Sequence, residues 1–386
     1  MINDPTAVFF VLAAIVAIAV TLESRYKTFQ ALGSALVGIL GGMLLSNIGI
    51  IPGESYAYVF LGGAGVSAGI VLILLTVDVR SVIQAGPRML AAFGIGALGS
   101  AIGATVAALL LADSIGPETW KLAGQYAATY TGGGVNFAAV GAALETSGDL
   151  FAAGIAADVI VTAVWMAACL AVPILFSARV RQAARESSPA DRVVPDPDEP
   201  PNLHQMLYSS IGALELQGIA LMVSVVLGTL WVSGMLGDLL APIPSVLWLT
   251  TIALLLAQVP HIKRLKGAGV IGNYIVLLFL ASNGARSVIA NIIEVGPPIV
   301  YYALITVGIH GLVIFGVGRL VGLDLKTLAV ASQAAVGGPA SAMALATARG
   351  YTDRLLPGVA AGLLGYAAGN YLGLVVASVL RGVLAG

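Results

Sequence analysis

The chain has 386 residues, 59% of them hydrophobic and 10% charged, with a formal net charge of −1. A soluble domain carries about 25% charged residues, so this surface cannot meet water on all sides. The near-neutral balance excludes a polybasic nucleic-acid face. The single Cys169 excludes an intramolecular disulfide and any Cys-based metal cluster, and His204, His261 and His310 are scattered without metal-ligand spacing.

Twelve apolar segments follow one another along the chain. Six lie at 7–22, 29–51, 58–77, 89–112, 121–147 and 150–177. Runs near 20 residues are long enough to cross a ~30 Å hydrocarbon core as helix, and they lack the period-two polar face of a barrel strand. Asp4 and the absence of a basic n-region give no sign of a cleaved signal peptide. Gly99 and Gly103 form a GxxxG pair suited to close helix packing. Residues 178–205 carry four Arg and the run Pro195-Asp196-Pro197-Asp198-Glu199-Pro200-Pro201, a solvated linker too polar to insert. Six further segments lie at 206–236, 243–260, 268–283, 298–318, 327–348 and 355–380. The expected class is an all-α polytopic membrane protein. Its parts are a first membrane repeat (1–177), a cytoplasmic linker (178–205) and a second membrane repeat (206–386).

The two halves align. Arg80-Ser81-Val82 recurs as Arg286-Ser287-Val288, and 131–165 matches 335–369 without gaps at nine positions. These include Gly133/Gly337, Gly134/Gly338, Asp149/Asp353 and Gly154/Gly358. Charge then selects a topology. With twelve crossings and the linker in the cytoplasm, 11 of the 18 Lys and Arg fall inside. If the fifth and eleventh segments instead turn back as re-entrant or broken hairpins, 15 of 18 do, leaving Lys121, Arg286 and Arg381 outside. The positive-inside rule prefers the second arrangement. Each suspect segment has a helix breaker at its middle: Thr131-Gly132-Gly133-Gly134-Val135-Asn136 in one, Gly337-Gly338-Pro339 in the other. Thr327 to Val336 makes ~15 Å of helix, half the hydrocarbon core. The sequence therefore predicts about ten transmembrane helices and two hairpins, arranged as two inverted repeats, with both termini outside.

Irregular backbone at membrane depth survives only beside protein or a water-filled cavity, so the paired breaks mark a binding site. The second arms, starting near Val135 and Pro339, present helix N-termini able to hold a carboxylate. The expected substrate-binding residues are Thr131, Gly132, Gly133, Gly134, Asn136, Gly337, Gly338, Pro339 and Ser341. Asp158 lies about eight residues, or roughly 12 Å, into its segment. A lipid-facing carboxylate there costs at least ~2.5 kcal/mol, so it should face the interior as a cation ligand or proton carrier. Its repeat counterpart is Gly362, so the halves are not equivalent. Thr129, Gln333, Asn283, Asn370 and His310 complete the candidate ion-coupling set, His310 because its imidazole can titrate near neutral pH.

The stretches Gly86-Pro87-Arg88-Met89-Leu90-Ala91-Ala92-Phe93, Thr131 to Val140 and Ala157-Asp158 resemble the YjcL-like family, a bacterial and plastid group classed as a domain of unknown function. The similarity runs over most of the chain and is most specific at the glycine–Asn stretch. That family is grouped with the cation:proton antiporter and anion transporter superfamily. The grouping implies inverted repeats, broken elements crossing at the midplane, and a moving core against a dimeric scaffold, hence a homodimer. The paired acidic motif of Na⁺/H⁺ antiporters is missing, since Ala157 and Val159 flank Asp158.

Taken together, the sequence predicts a multi-pass protein of the bacterial inner membrane that acts as a secondary transporter. It would take up or exchange a small organic anion or amino acid with Na⁺ or H⁺ as coupling ion, and use no cofactor. A cation/proton antiporter without organic substrate is the alternative. An enzyme is not expected: Gly65-Val66-Ser67-Ala68-Gly69 matches GxSxG only formally, because it lies inside an apolar segment rather than on a strand-to-helix turn.

Overall fold

The computed structural model describes residues 2–181, 215–240, 245–263, 265–287 and 289–384. Most of the expected linker (182–205) and the start of the seventh segment lie outside the described residues. The described elements are all helical: α1 (Pro5–Arg25), α2 (Lys27–Asn47), α3 (Tyr56–Leu74, with a π turn at Leu61–Gly65), α4 (Val79–Gln84), α5 (Gly86–Ile115), α6 (Thr119–Gly132), α7 (Gly134–Ala143) and α8 (Gly148–Arg181). After the linker come α9 (Leu216–Leu239), α10 (Ser245–Ala257), α11 (Pro260–Lys263), α12 (Ala268–Ala285), α13 (Ile289–Leu320), α14 (Leu325–Ala348) and α15 (Thr352–Leu384). The mean hydropathy of the chain is +0.98. Exposed large apolar side chains such as Phe10, Leu110, Trp231 and Leu312 lie on the spanning helices, as a lipid-facing surface requires.

Among the described residues, nine helices are long and apolar enough to cross a membrane, and α2 and α10 supply shorter apolar helices. One of the nine, α14, is not a single crossing. Its 24 residues would span ~36 Å if straight. Instead Gly338 breaks it at φ 75°, ψ −168°, and the two ends meet. Arg354, just past the second arm, donates from Nε to Thr327 Oγ1 at 2.9 Å and lies 3.7 Å from Asp324. The Lys326 ammonium sits 5.3 Å from the Tyr351 ring centre. The first hairpin closes the same way. The backbone N–H of Ser147 donates to Glu118 at 3.0 Å, Lys121 reaches the Glu145 carbonyl at 3.0 Å, and Gln125 donates to Thr146 Oγ1 at 2.9 Å. So α6 and α7 run antiparallel about the break at Gly133.

The acids at both bases are perturbed in one direction. Burial alone would raise the Glu118 carboxyl, but hydrogen bonds from Lys121 and Ser147 outweigh it and hold it below the ordinary 4.5. Burial would likewise raise Asp324, but two hydrogen bonds from Thr327 and the Arg354 charge hold it below 3.8. Asp324 is also the N-cap of α14, accepting from Thr327 N at 2.9 Å.

Helix α15 establishes how the hairpins are opposed. Passing along it, Gly358 packs on Val330, Gly362 on Pro339, Gly365 on Thr131 and Gly132, Gly369 on Ala128, and Gly373 on Gly124. One helix thus runs from the base of the second hairpin, past both tips, to the base of the first. The hairpins enter from opposite ends and their tips meet near Gly362–Gly365.

Equivalent packings recur 204 positions apart. Tyr126 Oη donates to the Gly154 carbonyl at 3.0 Å, where the second half packs Val330 on Gly358. Trp165 Nε1 donates to Ser332 at 2.9 Å, where the second half sets Gly369 on Ala128. The self-paired helices are antiparallel. On α5, a Cβ at Gly99 would meet Val313 at 3.0 Å and one at Gly103 would meet Thr306 at 2.9 Å, so the GxxxG pair is the seam with α13. Gly69 of α3 and Gly272 of α12 pack in the same manner. These are two inverted repeats. Each gives its first three spans to a panel (α1–α3 with α9, α10 and α12) and the rest to a core (α5–α8 with α13–α15).

Candidate functional site at the hairpin tips

The break needs glycine in both hairpins. Gly133 takes φ 87°, ψ 178° and Gly338 φ 75°, ψ −168°, a region essentially closed to residues with a Cβ. The sequence pairs Gly133 with Gly337 and Gly134 with Gly338, yet the breaks fall on Gly133 and Gly338, one residue out of step. Pro339 accounts for this. It starts the second arm at the first helical position and disfavours helical backbone in the residue before it. The tips touch: a Cβ at Gly133 would lie 3.4 Å from Gly338 N, and one at Gly338 would lie 3.4 Å from the Gly132 carbonyl.

A cavity of about 500 Å³ opens between core and panel beside these tips. Gly134, Asp158, Gln333, Gly337 and Ser341 line its core side. Gly33 of α2 and Asn273, Val276, Leu277 and Leu280 of α12 form the panel side. Gly33 is itself a break in α2, at φ 74°, ψ 150°.

Within this frame the candidate residues separate. Asp158 is 7% exposed. Thr162, one turn on, lies 3.4 Å from Oδ1, and the hydroxyls of Thr129 and Tyr130 stand within interaction range of the same carboxylate. Both residues are fully buried, and among the described residues neither hydroxyl has a partner other than this carboxylate. Gln333 is also fully buried, and both its amide atoms lack a partner among the described residues. Each such orphaned group costs about 1–3 kcal/mol, so their concentration around one carboxylate and one cavity marks a site shaped for a ligand.

Other candidates hold the tips in place. Asn136 donates to the Tyr366 carbonyl at 3.0 Å and to Asn370 Oδ1 at 3.1 Å. Asn370 donates onward to Thr250 of α10 at 3.2 Å. Thr131 turns its hydroxyl back to the Ala127 carbonyl at 2.8 Å, and its own carbonyl abuts Gly365. Pro339 rests on Gly362 rather than on the cavity. Asn283 donates to the Phe279 carbonyl of its own helix at 3.0 Å, and it is not among the described residues that line the cavity.

His310 is fully buried and fully bonded. Nδ1 meets the Gly96 carbonyl at 2.8 Å and Ser100 Oγ at 2.9 Å, and Nε2 meets Ser332 Oγ at 2.9 Å. Ser100 donates to the Tyr130 carbonyl at 2.5 Å. The neutral ring with its proton on Nδ1 satisfies every partner. Ser332 then donates to Nε2 while accepting from Trp165. His310 therefore ties the first arms of both hairpins to α5 and α13.

Sequence reasoning missed Tyr130, Thr162 and the panel wall. Tyr130 follows Tyr126 by four residues and Thr162 follows Asp158 by four, so helical spacing carried a signal for both. The halves differ chemically where it matters. Tyr126, Tyr130 and Phe137 stack and edge-pack with Tyr302 and Phe151 at centroid distances of 5.2–5.6 Å. Their counterparts in the second hairpin are Val330, Ala334 and Ser341. One hairpin is aromatic and carries the acid's hydroxyl cage; the other is small and presents Gln333 and Ser341 to the cavity.

Fold and site define a polytopic helical membrane protein of two inverted repeats, whose broken hairpins meet at a cavity between a core and a panel. The chain belongs to the family described as "Protein of unknown function (DUF819)", which matches residues 10–383. It is 28% identical over 385 residues to the uncharacterized membrane protein YjcL of Bacillus subtilis (strain 168), across 96% of each chain.

Proposed function

We propose that this protein is a secondary transporter, not an enzyme, which couples movement of a small organic anion or amino acid to Na⁺ or H⁺. The observation that carries the reading is the cavity where opposed hairpin tips, a buried carboxylate and orphaned polar groups meet between two packed layers. Transporters place their sites at such discontinuous elements, near the midplane and at the repeat interface. The coupling ion occupies the niche of Asp158, Thr129 and Tyr130, an all-oxygen set suited to a hard cation. The solute occupies the adjoining cavity. Alternating access then follows from displacement of the core, carrying both hairpins, against the panel.

Kinship with the cation:proton antiporter and anion transporter superfamily, and a homodimer built through the panels, belong to the same proposal. So does residence in a bacterial inner membrane, with the linker in the cytoplasm and the base of the first hairpin outside.

Proteoliposomes test the reading. An inward Na⁺ or H⁺ gradient should drive accumulation of an organic carboxylate from a mixed panel, and Asp158→Asn should abolish it. A luminal pH response to Na⁺ or K⁺ that needs no organic solute would replace the proposal with a cation/proton antiporter. The paired acidic motif of that class is missing here, since Ala157 and Val159 flank Asp158.

A further inference from the structure

The charge complement of the cavity narrows its solute. Among the described residues lining it, Asp158 is the one ionisable group, with no Lys, Arg or His. Backbone N–H donors come from the second arms, Gly134–Ala143 and 339–348, whose first turns bring Gly134, Val135 and Ser341 to the cavity. Each N-terminus is equivalent to roughly half an elementary charge, and the first-turn N–H groups of a helix have no intrahelical acceptor. Beside the second of them stands Gln333, fully buried with an unpartnered amide. A Cβ at Gly337 would lie 2.9 Å from Gln333 Nε2 and 2.6 Å from Ser341 Cβ, so both side chains pack closely over this glycine, and all three residues line the cavity.

We propose that the end of the cavity lined by Gln333 and Ser341 binds the carboxylate of an aliphatic monocarboxylate. This rests on the proposed reading of Asp158 as the coupling cation's partner. One cation then neutralises Asp158, which removes its repulsion of a second carboxylate in the cavity, and the first-turn N–H groups of the arms supply donors for that carboxylate. The Gln333 amide and the Ser341 hydroxyl donate to the carboxylate oxygens. The rest of the cavity is apolar: Ile155, Val159, Val276, Leu277, Leu280 and Val336. At ~30 Å³ per water-sized atom its volume of about 500 Å³ admits a body of up to roughly 17 heavy atoms.

Two other solute charges fit less well. A dicarboxylate brings a second anion to a cavity with no cationic side chain. A zwitterion would set its ammonium on Asp158. Asp158 is the position that the coupling cation occupies in this reading, so an ammonium there would compete with the ion rather than be coupled to it.

Four six-carbon probes isolate the charge: hexanoate, adipate, hexanamide and norleucine. Equilibrium dialysis of radiolabelled probe against the purified full chain, in Na⁺ and in choline, should show saturable binding of hexanoate alone, tightened by Na⁺. Gln333→Glu, near-isosteric but anionic, should weaken hexanoate at least tenfold, and Ser341→Ala severalfold. Both should leave Na⁺-induced thermal stabilisation intact, which shows that fold and ion niche survive. Saturable adipate or norleucine binding equal to or tighter than hexanoate overturns the monocarboxylate assignment while leaving a solute-transporter reading in place. Hexanoate affinity unchanged in Gln333→Glu overturns the placement. If no probe binds but Na⁺ stabilises the protein, the solute assignment fails and the cation niche stands. If neither probe nor cation has an effect, the transporter reading falls with it.

Discussion

The contact between Gly132 and Gly365 lets the first hairpin tip lie against α15. Alanine at position 132 would place its Cβ against the Gly365 carbonyl group and 2.6 Å from Asn136 Oδ1. Those obstacles are backbone and a hydrogen-bonded amide, not the free end of a flexible side chain. An ordinary ~3.5 Å carbon contact requires about 1 Å of displacement between hairpin and helix. Overpacking of this kind costs about 1–3 kcal/mol, and it shifts Asn136 away from Tyr366 and Asn370. Two residues along, a Cβ at Gly134 meets nothing within 4 Å, so Gly134→Ala should stay within about 0.5 kcal/mol of the parent. Thermal unfolding of the purified variants, with and without Na⁺, compares them. Gly132→Ala should lower Tm by several degrees and lose most of the Na⁺-induced rise, while Gly134→Ala keeps both stability and the Na⁺ response. Equal Tm values for the two variants would refute the account of the tip crossing.

Removing the imidazole in His310→Ala leaves Ser332, Ser100 and the Gly96 carbonyl without a shared partner. It should cost roughly 2–4 kcal/mol by the usual penalty for unpaired buried groups, seen as a Tm loss with the pH dependence of transport unchanged. A shifted pH profile in an active His310 variant would give that residue a protonic role instead. At the hairpin bases, Asp324→Ala removes an N-cap and should destabilise by about 1 kcal/mol. Because Glu118 and Asp324 are held below their ordinary values, their contribution is present above about pH 4.5 and is lost as pH falls through the depressed values. Hydrogen exchange in 118–121 and 324–327 should therefore rise selectively between pH 5 and about pH 3, and the rise should be absent in Glu118→Gln/Asp324→Asn. In a variant lacking Cys169, single cysteines replacing the exposed Ser114 and Ser147 should both react with an impermeant thiol reagent applied from outside the cell. Labelling of position 147 only from the cytoplasm contradicts the proposed orientation.

Much of the architecture was legible in the sequence because a bilayer converts length and charge into topology. Apolar runs set the spans, and the Lys/Arg balance required two segments to turn back. Glycines at mid-depth located the turns, and the ends of α6–α7 and α14 meet as that reasoning demands. The finer placement depends on contacts between distant segments. The one-residue offset of the breaks came from Pro339, whose effect on Gly338 outweighs the repeat alignment. The wall supplied by Gly33, Val276 and Leu280 belongs to helices whose sequences read simply as apolar spans. Thr131 and Asn283 have the right chemistry at the right depth, but both spend their polar groups on their own helices, a choice of rotamer that spacing does not reveal. The place of His310 at a junction of four helices was not legible either, because Ser100 and Ser332 arrive from elements 210 and 22 residues away.

The central claim is that a cation sits on Asp158 within the hydroxyl cage of the first hairpin. Scintillation-proximity binding of ²²Na⁺ to the purified protein tests it most directly, with Asp158→Asn and Thr129→Val alongside. The account predicts saturable ²²Na⁺ binding that is lost in Asp158→Asn and weakened at least tenfold in Thr129→Val, or, if the coupling ion is H⁺, proton uptake on acidification that disappears with Asp158. Cation binding and proton uptake that both persist unchanged in Asp158→Asn would contradict it.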